Sequence, residues 1–230
     1  LLKDGNETGI TFRGIPNGHE FTSLLLAVLN TDGQGKNFPD EAIQRRIKSL
    51  KGEIALKTYV SLTCTNCPDV VQALNLMSLI NPNIKHEMVD GGIYQQEVSD
   101  LNIQGVPAVY CNNESLHIGR GDLGILLQEL EDMVGSEALE NEESIEREYD
   151  VIVIGGGPAG ASAAIYSARK GLKVGLVAER IGGQVNDTTG IQNLISVPNT
   201  NGTQLAADLK GHLSDYPIEL FDHRKIASVS

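Results

Sequence analysis

The apolar run Val151-Ile152-Val153-Ile154 passes without a break into Gly155-Gly156-Gly157-Pro158-Ala159-Gly160 and then into an alanine-rich stretch ending near residue 170. Four β-branched residues in succession, with no polar alternation, suit a strand buried on both faces, the situation of parallel sheets. Parallel neighbours need a crossover, and residues 158–170 supply a helix before a second strand over 173–178. This stretch therefore confines the chain to a βαβ unit near its C-terminal end.

The glycine spacing gives that unit a use. In Gly155-x-Gly157-x-x-Gly160, Gly155 allows the tight turn, Gly157 lets backbone approach a pyrophosphate, and Gly160 with Ala164 lets helix and sheet pack closely. Backbone N–H groups at the helix start then face anionic phosphates. An acid at the end of the second strand is expected to bind ribose hydroxyls, and Glu179 stands 24 residues after Gly155, against roughly 20 in the general pattern. A glycine-rich structural turn is the bland alternative. The glycines alone do not separate FAD from NAD.

A second motif lies upstream. Cys64-Thr65-Asn66-Cys67-Pro68 is followed some forty residues later by Val106-Pro107. Two intervening residues let both sulfurs meet at the first turn of a helix, where free N–H groups and the helix dipole favour a thiolate. Cys64 is expected to be the exposed nucleophile and Cys67 the resolving thiol. X-Pro bonds are the usual place for a cis peptide, and a cis-proline against a CxxC resembles thioredoxin-like folds. The intervening Thr-Asn differs from thioredoxin, and the chain has no Trp. A zinc site from Cys64, Cys67, Cys111 and His117 is the alternative, although Cys111-x5-His117 makes a poor second ligand pair. Cys111 otherwise reads as a packed thiol, and the five histidines are scattered.

The charge is −12 over 230 residues, which argues against nucleic acid or an anionic membrane surface as partner. Residues 129–150 hold ten acids against Arg147 alone, so the acidity belongs mainly to one linker-like stretch. Three cysteines, two of them in CxxC, read as a redox motif in a reducing compartment. The N-terminal residues lack a signal-peptide pattern, and no apolar run approaches the ~18 residues of a membrane span. The expected setting is cytoplasmic. A start without Met and an end within strand-like sequence at Ser228-Val229-Ser230 suggest a piece of a longer protein.

Periodicity predicts a strand over 8–13, a helix over 20–30, and a helix over 39–50 with Pro39 in its first turn. From 54 to 135 the order is strand (54–60), helix (68–79), strand (84–89), helix (95–101), two strands (107–110 and 116–118) across Asn112-Asn113, and helix (123–133). That order is an α/β domain with a mixed sheet. Thr203 is expected to cap a last helix reaching about Leu213.

The segments Glu179-Arg-Ile-Gly-Gly183-Gln184 and Ile191-Gln-Asn193 resemble the flavin-binding region of the thioredoxin reductase family, which favours FAD. Together with Gly18-His19-Glu20-Phe21-Thr22-Ser23-Leu24, Cys64 through Met77, Gly105-Val-Pro-Ala108 and Ala164 through Gly171, nearly the whole chain resembles the flavoprotein components of bacterial alkyl hydroperoxide reductases. The resemblance implies residues 1–35 as the end of a first, cysteine-free thioredoxin-like fold and 36–135 as a redox-active one. Residues 136–148 become an acidic linker and 149–230 the incomplete start of a Rossmann-type FAD-binding domain.

It further implies a site built from Cys64, Cys67, Pro107 and Glu20, and flavin contacts from Gly155, Gly156, Gly157, Pro158, Ala159, Gly160, Glu179, Gly183, Gln184 and Asn193. Electrons would run from NADH, bound outside this chain, through FAD to Cys64/Cys67 and on to a two-cysteine peroxiredoxin, with a homodimer at full length. Glu20 would tune the thiols, although its position alone also suits a first-turn acid beside a helix dipole. The competing readings are a general thiol–disulfide oxidoreductase fused to a thioredoxin reductase body, and a non-catalytic adaptor.

Overall fold

The computed structural model describes residues 1–35, 38–137 and 146–229. Two compact units emerge, Leu1–Asn141 and Glu142–Ser230. Residues 138–145, which carry most of the expected acidic linker, lie outside the described residues.

The first unit opens with a short antiparallel pair, β1 (Leu2–Lys3) and β2 (Asn6–Glu7), then β3 (Ile10–Arg13), a 3-10 turn at Gly18–Glu20 and α1 (Phe21–Thr31). There follow α2 (Glu41–Lys48), β4 (Ile54–Val60), α3 (Cys67–Ile80), β5 (Ile84–Asp90), α4 (Gln95–Asp100), β6 (Ala108–Cys111), β7 (Glu114–Ile118) and α5 (Leu123–Val134). The sheet order is β3-β5-β4-β6-β7, with β3, β5 and β4 parallel and β6 and β7 antiparallel. This is the thioredoxin-like mixed sheet.

The alternation in β4 sorts its two faces. Ile54 and Leu56 join Ile43 and Ile47 of α2, Leu74 and Met77 of α3, and Leu126, Leu127 and Leu130 of α5 in one core. Tyr59 points the other way, with Val89 and Ala108, against Tyr94 and Val98 beside α4. Asn112 and Asn113 both take positive φ, 49° and 71°, as a two-residue hairpin turn demands.

One expectation changes here. Asp40, not Pro39, starts α2: its carboxylate accepts from the N–H groups of Ala42 and Ile43 at 2.9 and 3.0 Å, leaving Pro39 outside the helix. β3 is hydrogen-bonded along β5 as the sheet's edge strand, and α1 packs on α3.

The second unit contains β8 (Val151–Ile154), α6 (Pro158–Arg169), β9 (Val174–Val177), a 3-10 turn at Gly183–Asp187, α7 (Gly202–Ser214) and β10 (Ile218–Phe221). Its three strands are parallel in the order β10-β9-β8, the start of a Rossmann-type sheet. Val153, Leu176 and Val174 face Ala161, Ala164, Ile165 and Leu213 of the helices. The expected burial on both faces is not met: Ile152 and Ile154 of β8 are 47% and 56% exposed, because α6 and α7 pack against the opposite face, that of Val153. The cap of α7 is Asn201 rather than Thr203, its Oδ1 accepting from the Gln204 N–H at 2.8 Å. Among the described residues, no helix is long and apolar enough to cross a membrane.

Candidate thiol and nucleotide sites

Cys64 and Cys67 form a disulfide with their Cα atoms 5.6 Å apart. Cys67 is the first residue of α3 and fully buried, among Val60, Val71 and Met88, whereas Cys64 is partly buried. Pro68 stands in the first helical turn, where its missing N–H costs nothing. The Cys67 N–H donates to Cys64 Sγ at 3.2 Å. A helix-start amide thus points at the outer sulfur, the arrangement that stabilises a thiolate.

The Val106–Pro107 bond is cis, and the Val106 carbonyl oxygen lies 3.8 Å from Cys64 Sγ. Pro107 is buried, and its carbonyl accepts from the Gly119 N–H at 2.8 Å. Cys64, Cys67 and Pro107 are therefore brought together.

Glu20 is buried at the end of the 3-10 turn that precedes α1. That turn is tied to the loop before Cys64 by a hydrogen bond from His19 N–H to the Leu62 carbonyl at 3.1 Å, and it packs on α3. Neither Glu20 carboxyl oxygen has a hydrogen bond of ordinary geometry. Burial pushes the carboxyl up to about 7; the Ser23 side chain opposes this and the charge of Asp69, in the first turn of α3, adds to it.

The zinc alternative loses its ligands to other partners. The two CxxC sulfurs bind each other. His117 Nδ1 faces the Glu129 carboxylate at 3.0 Å, and Nε2 faces the Arg120 carbonyl at 2.8 Å. Cys111 is a buried free thiol, its pKa raised chiefly by burial.

Sequence reasoning missed two features of the first unit. Arg120, in the loop after β7, donates from Nε to Asn66 Oδ1 at 3.0 Å, inside the CxxC itself. His86 of β5 is fully buried between Thr58 Oγ1 and Asn75 Oδ1, each at 2.8 Å, and burial pushes its imidazole down to about 3. Only the alternation of β5 pointed to His86 as an inward residue. Nothing in spacing pointed to Arg120, which is 53 residues from Cys67.

In the second unit the glycine turn is a backbone cradle. Gly155 has φ of +108° with open space around it. A Cβ on Gly156 would meet Ala178 Cβ and the Arg180 carbonyl at 2.8 Å, and one on Gly160 would overlap the Gly155 carbonyl. Gly157 caps α6, followed by Pro158 and Ala159 in its first turn. The next loop closes on this turn: the Gly182 N–H donates to the Gly156 carbonyl at 2.8 Å, and a Cβ on Gly183 would lie 3.4 Å from Gly157. Glu179 is exposed just past β9, beside the end of β8. Gln184 is exposed in the following 3-10 turn, and Asn193 is exposed in the irregular segment bounded by the Ile191–Thr200 bridge. The free helix start, the open Gly155 and the crowded Gly156 and Gly160 fit a dinucleotide phosphate laid on backbone.

The "FAD dependent oxidoreductase" family profile matches residues 150–209. Over 218 residues the chain is 51% identical to a Bacillus subtilis (strain 168) protein named NADH dehydrogenase, covering 95% of this chain and 42% of that one. It is 49% identical over 217 residues to the AhpF component of alkyl hydroperoxide reductase from Staphylococcus aureus (strain Mu50 / ATCC 700699), covering 94% and 41%. The crystal structure of the NTD_N/C domain of the alkylhydroperoxide reductase AhpF from Enterococcus faecalis (V583) superimposes with a TM-score of 0.52 at 37% identity, covering 55% of this chain and 60% of that one. The chain spans about two-fifths of the length of the curated relatives it matches.

Proposed function

We propose that this homologue of the N-terminal portion of AhpF, the flavoprotein of alkyl hydroperoxide reductase, carries electrons through Cys64 and Cys67 to the disulfide of a two-cysteine peroxiredoxin, supporting reduction of alkyl hydroperoxides and hydrogen peroxide. The observation that carries the reading is the disulfide at the start of α3, with its outer sulfur between the Cys67 N–H and the Val106 carbonyl.

In the dithiol state the Cys67 amide and the α3 dipole favour a Cys64 thiolate. That thiolate attacks one sulfur of the partner disulfide; a mixed disulfide forms and the partner's other sulfur leaves as thiolate, taking up a proton. Cys67, deprotonated in turn, attacks Cys64 Sγ and releases the partner's second thiol. Two electrons pass, and this chain is left as the disulfide. Glu20, buried on the 3-10 turn that packs on α3, would tune the acidity of the thiols. Pro107 and the Val106 carbonyl present backbone to the incoming chain.

In the second unit, the N–H groups along Gly155–Gly160 would hold the pyrophosphate of FAD, Glu179 a ribose, and Gly183, Gln184 and Asn193 the flavin side. A bound flavin supplies two-electron exchange between a reduced nicotinamide and thiols, with NADH held outside this chain. The same proposal covers residues 1–35 as the end of a first thioredoxin-like fold, 36–135 as the redox-active one, 136–148 as linker and 149–230 as the start of the FAD domain. It also covers a homodimer at full length and a cytoplasmic setting.

The test mixes the pre-reduced chain with a disulfide-form two-cysteine peroxiredoxin. Rapid thiol appearance on the partner, lost in Cys64→Ser, is expected. A titratable dithiol that leaves the peroxiredoxin oxidised overturns the partner. Equal rates on insulin would return the general oxidoreductase reading.

A further inference from the structure

Asn66 is the residue before α3 and belongs to the type that caps helices best. Yet its side chain makes no capping bond, and its backbone sits at φ −96° and ψ −14°, already helical. A capping residue ordinarily adopts extended angles so that its side-chain oxygen can accept from the second or third helical N–H. Here that oxygen is taken by Arg120. The first-turn amide of α3 is correspondingly directed to sulfur, the Cys67 N–H donating to Cys64 Sγ.

Arg120 is itself held in place. Gly119 N–H bonds to the Pro107 carbonyl, and His117 Nε2 faces both the Gly119 and Arg120 carbonyls at 3.2 and 2.8 Å, while Glu129 of α5 takes its Nδ1. A Cβ on Gly121 would lie 2.8 Å from His117 Nε2, so the loop fits closely over the ring. The loop is thus fastened to the cis-proline segment on one side and to the CxxC turn on the other.

We propose that Arg120 is a positioning residue of the thiol site: by occupying Asn66 Oδ1 it holds Asn66 at the helical backbone angles that aim the Cys67 N–H at the Cys64 thiolate. The inference rests on the disulfide-exchange reading of Cys64 and Cys67, and it deepens that reading. Without Arg120, Asn66 is free to turn to extended angles and accept from the Asp69 N–H, Pro68 having none to give, and that turn carries the Cys67 N–H away from Cys64 Sγ. The Cys64 thiolate then loses support. The titratable groups around this end of α3 include Glu20 and His19 on the 3-10 turn, Asp69 in the first helical turn and Asp90 opposite Val60 at the end of β5; all stay unchanged in the variants below.

The experiment measures iodoacetamide alkylation of Cys64 in the reduced full chain across pH, followed by peptide mass. The variants are Arg120→Gln, Asn66→Ala and both together. Arg120→Gln is expected to move the rate profile up by about one pH unit, so that Cys64 reacts about tenfold more slowly on the acid side of the profile. In the Asn66→Ala background the same substitution should change the rate less than about twofold, since nothing is left to swing into the capping position. Superimposed profiles for wild type and Arg120→Gln overturn the proposal. So does a full tenfold effect that persists in Asn66→Ala, which would assign Arg120 a direct charge role. Should Arg120→Gln not fold, Arg120→Met takes its place with the same expectation, a slowing of about tenfold that Asn66→Ala removes, and an unchanged profile overturns the proposal. Alkylation needs no partner, so failure here is distinct from failure of peroxiredoxin reduction.

Discussion

The two units do their polar work with different parts of the chain. Every buried polar side chain among the described residues lies in the first unit, including Glu20, Thr58, Asn75, His86 and Asp90. The core of the second is alanine, valine, leucine and isoleucine, and its candidate site is main chain: glycines whose side positions are either open or already filled. The difference follows from what each handles. A thiol must be tuned in acidity, which takes side chains in a low-dielectric setting. A pyrophosphate asks for close approach of N–H groups, which side chains would only obstruct.

Breaking the first core should have the largest effect. Leu126 of α5 is fully buried against α2, α3 and β4, and Leu126→Ala should cost about 2–5 kcal/mol. Urea unfolding followed by Tyr59 and Tyr110 environment should shift, while the transition of the second unit stays in place; a common shift of both would deny that the units are independent.

In the second unit a single methyl should do comparable harm without touching any side-chain chemistry. Gly160→Ala drives a Cβ into the Gly155 carbonyl, and relief by backbone movement should cost ~1–3 kcal/mol. The thiol reactivity of Cys64 should be unaffected, and hydrogen exchange in β8 and α6 should rise.

Buried titration separates the units by pH. His86, depressed from 6.5 to about 3, gives stability that is present above 6.5 and lost as pH falls through 3. Glu20, raised from 4.5 to about 7, gives stability that is present below 4.5 and lost as pH rises through 7. Each contributes a slope of about 1.4 kcal/mol per pH unit in its window, with opposite sign. The two oppose each other between pH 4.5 and 6.5. Glu20→Gln should therefore unmask a steady gain in first-unit stability from acid to pH 6.5 and abolish the loss towards pH 7. Denaturation midpoints with the same pH dependence in both proteins would refute the assignment.

The smallest effect is expected at the surface. Arg46 of α2 holds Glu131 of α5 through two bonds at 2.9 and 2.6 Å, partly exposed, and Arg46→Ala should cost roughly 0.2–1 kcal/mol, less in high salt. A loss as large as that of Leu126→Ala would mean the helix pair depends on charge rather than on its leucines.

The amino-acid sequence determined the elements and their chemistry wherever a rule acts locally. The apolar alternation of 54–60, the CxxC at a helix start and the glycine spacing after 151–154 each constrain a few adjacent residues, so pattern suffices to read them. The order of strands and helices through the first unit followed from the same local patterns, as did Cys64 as the outer and Cys67 as the inner sulfur.

Tertiary structure alone decided what depends on distant chain meeting. Four β-branched residues predicted two covered faces for β8, yet helices cover only one, since periodicity reports hydrophobicity and not what arrives to bury it. The strand at 10–13 pairs in parallel along β5, a choice made across more than seventy residues. Asp40 rather than Pro39, and Asn201 rather than Thr203, became caps, because capping depends on one residue's backbone angles as well as its type. Arg120 meets Asn66 only because β7 returns beside β6 and carries its loop to the CxxC, and no local spacing encodes that encounter. Side-chain identity is written in sequence, whereas proximity is set by the closure of the sheet.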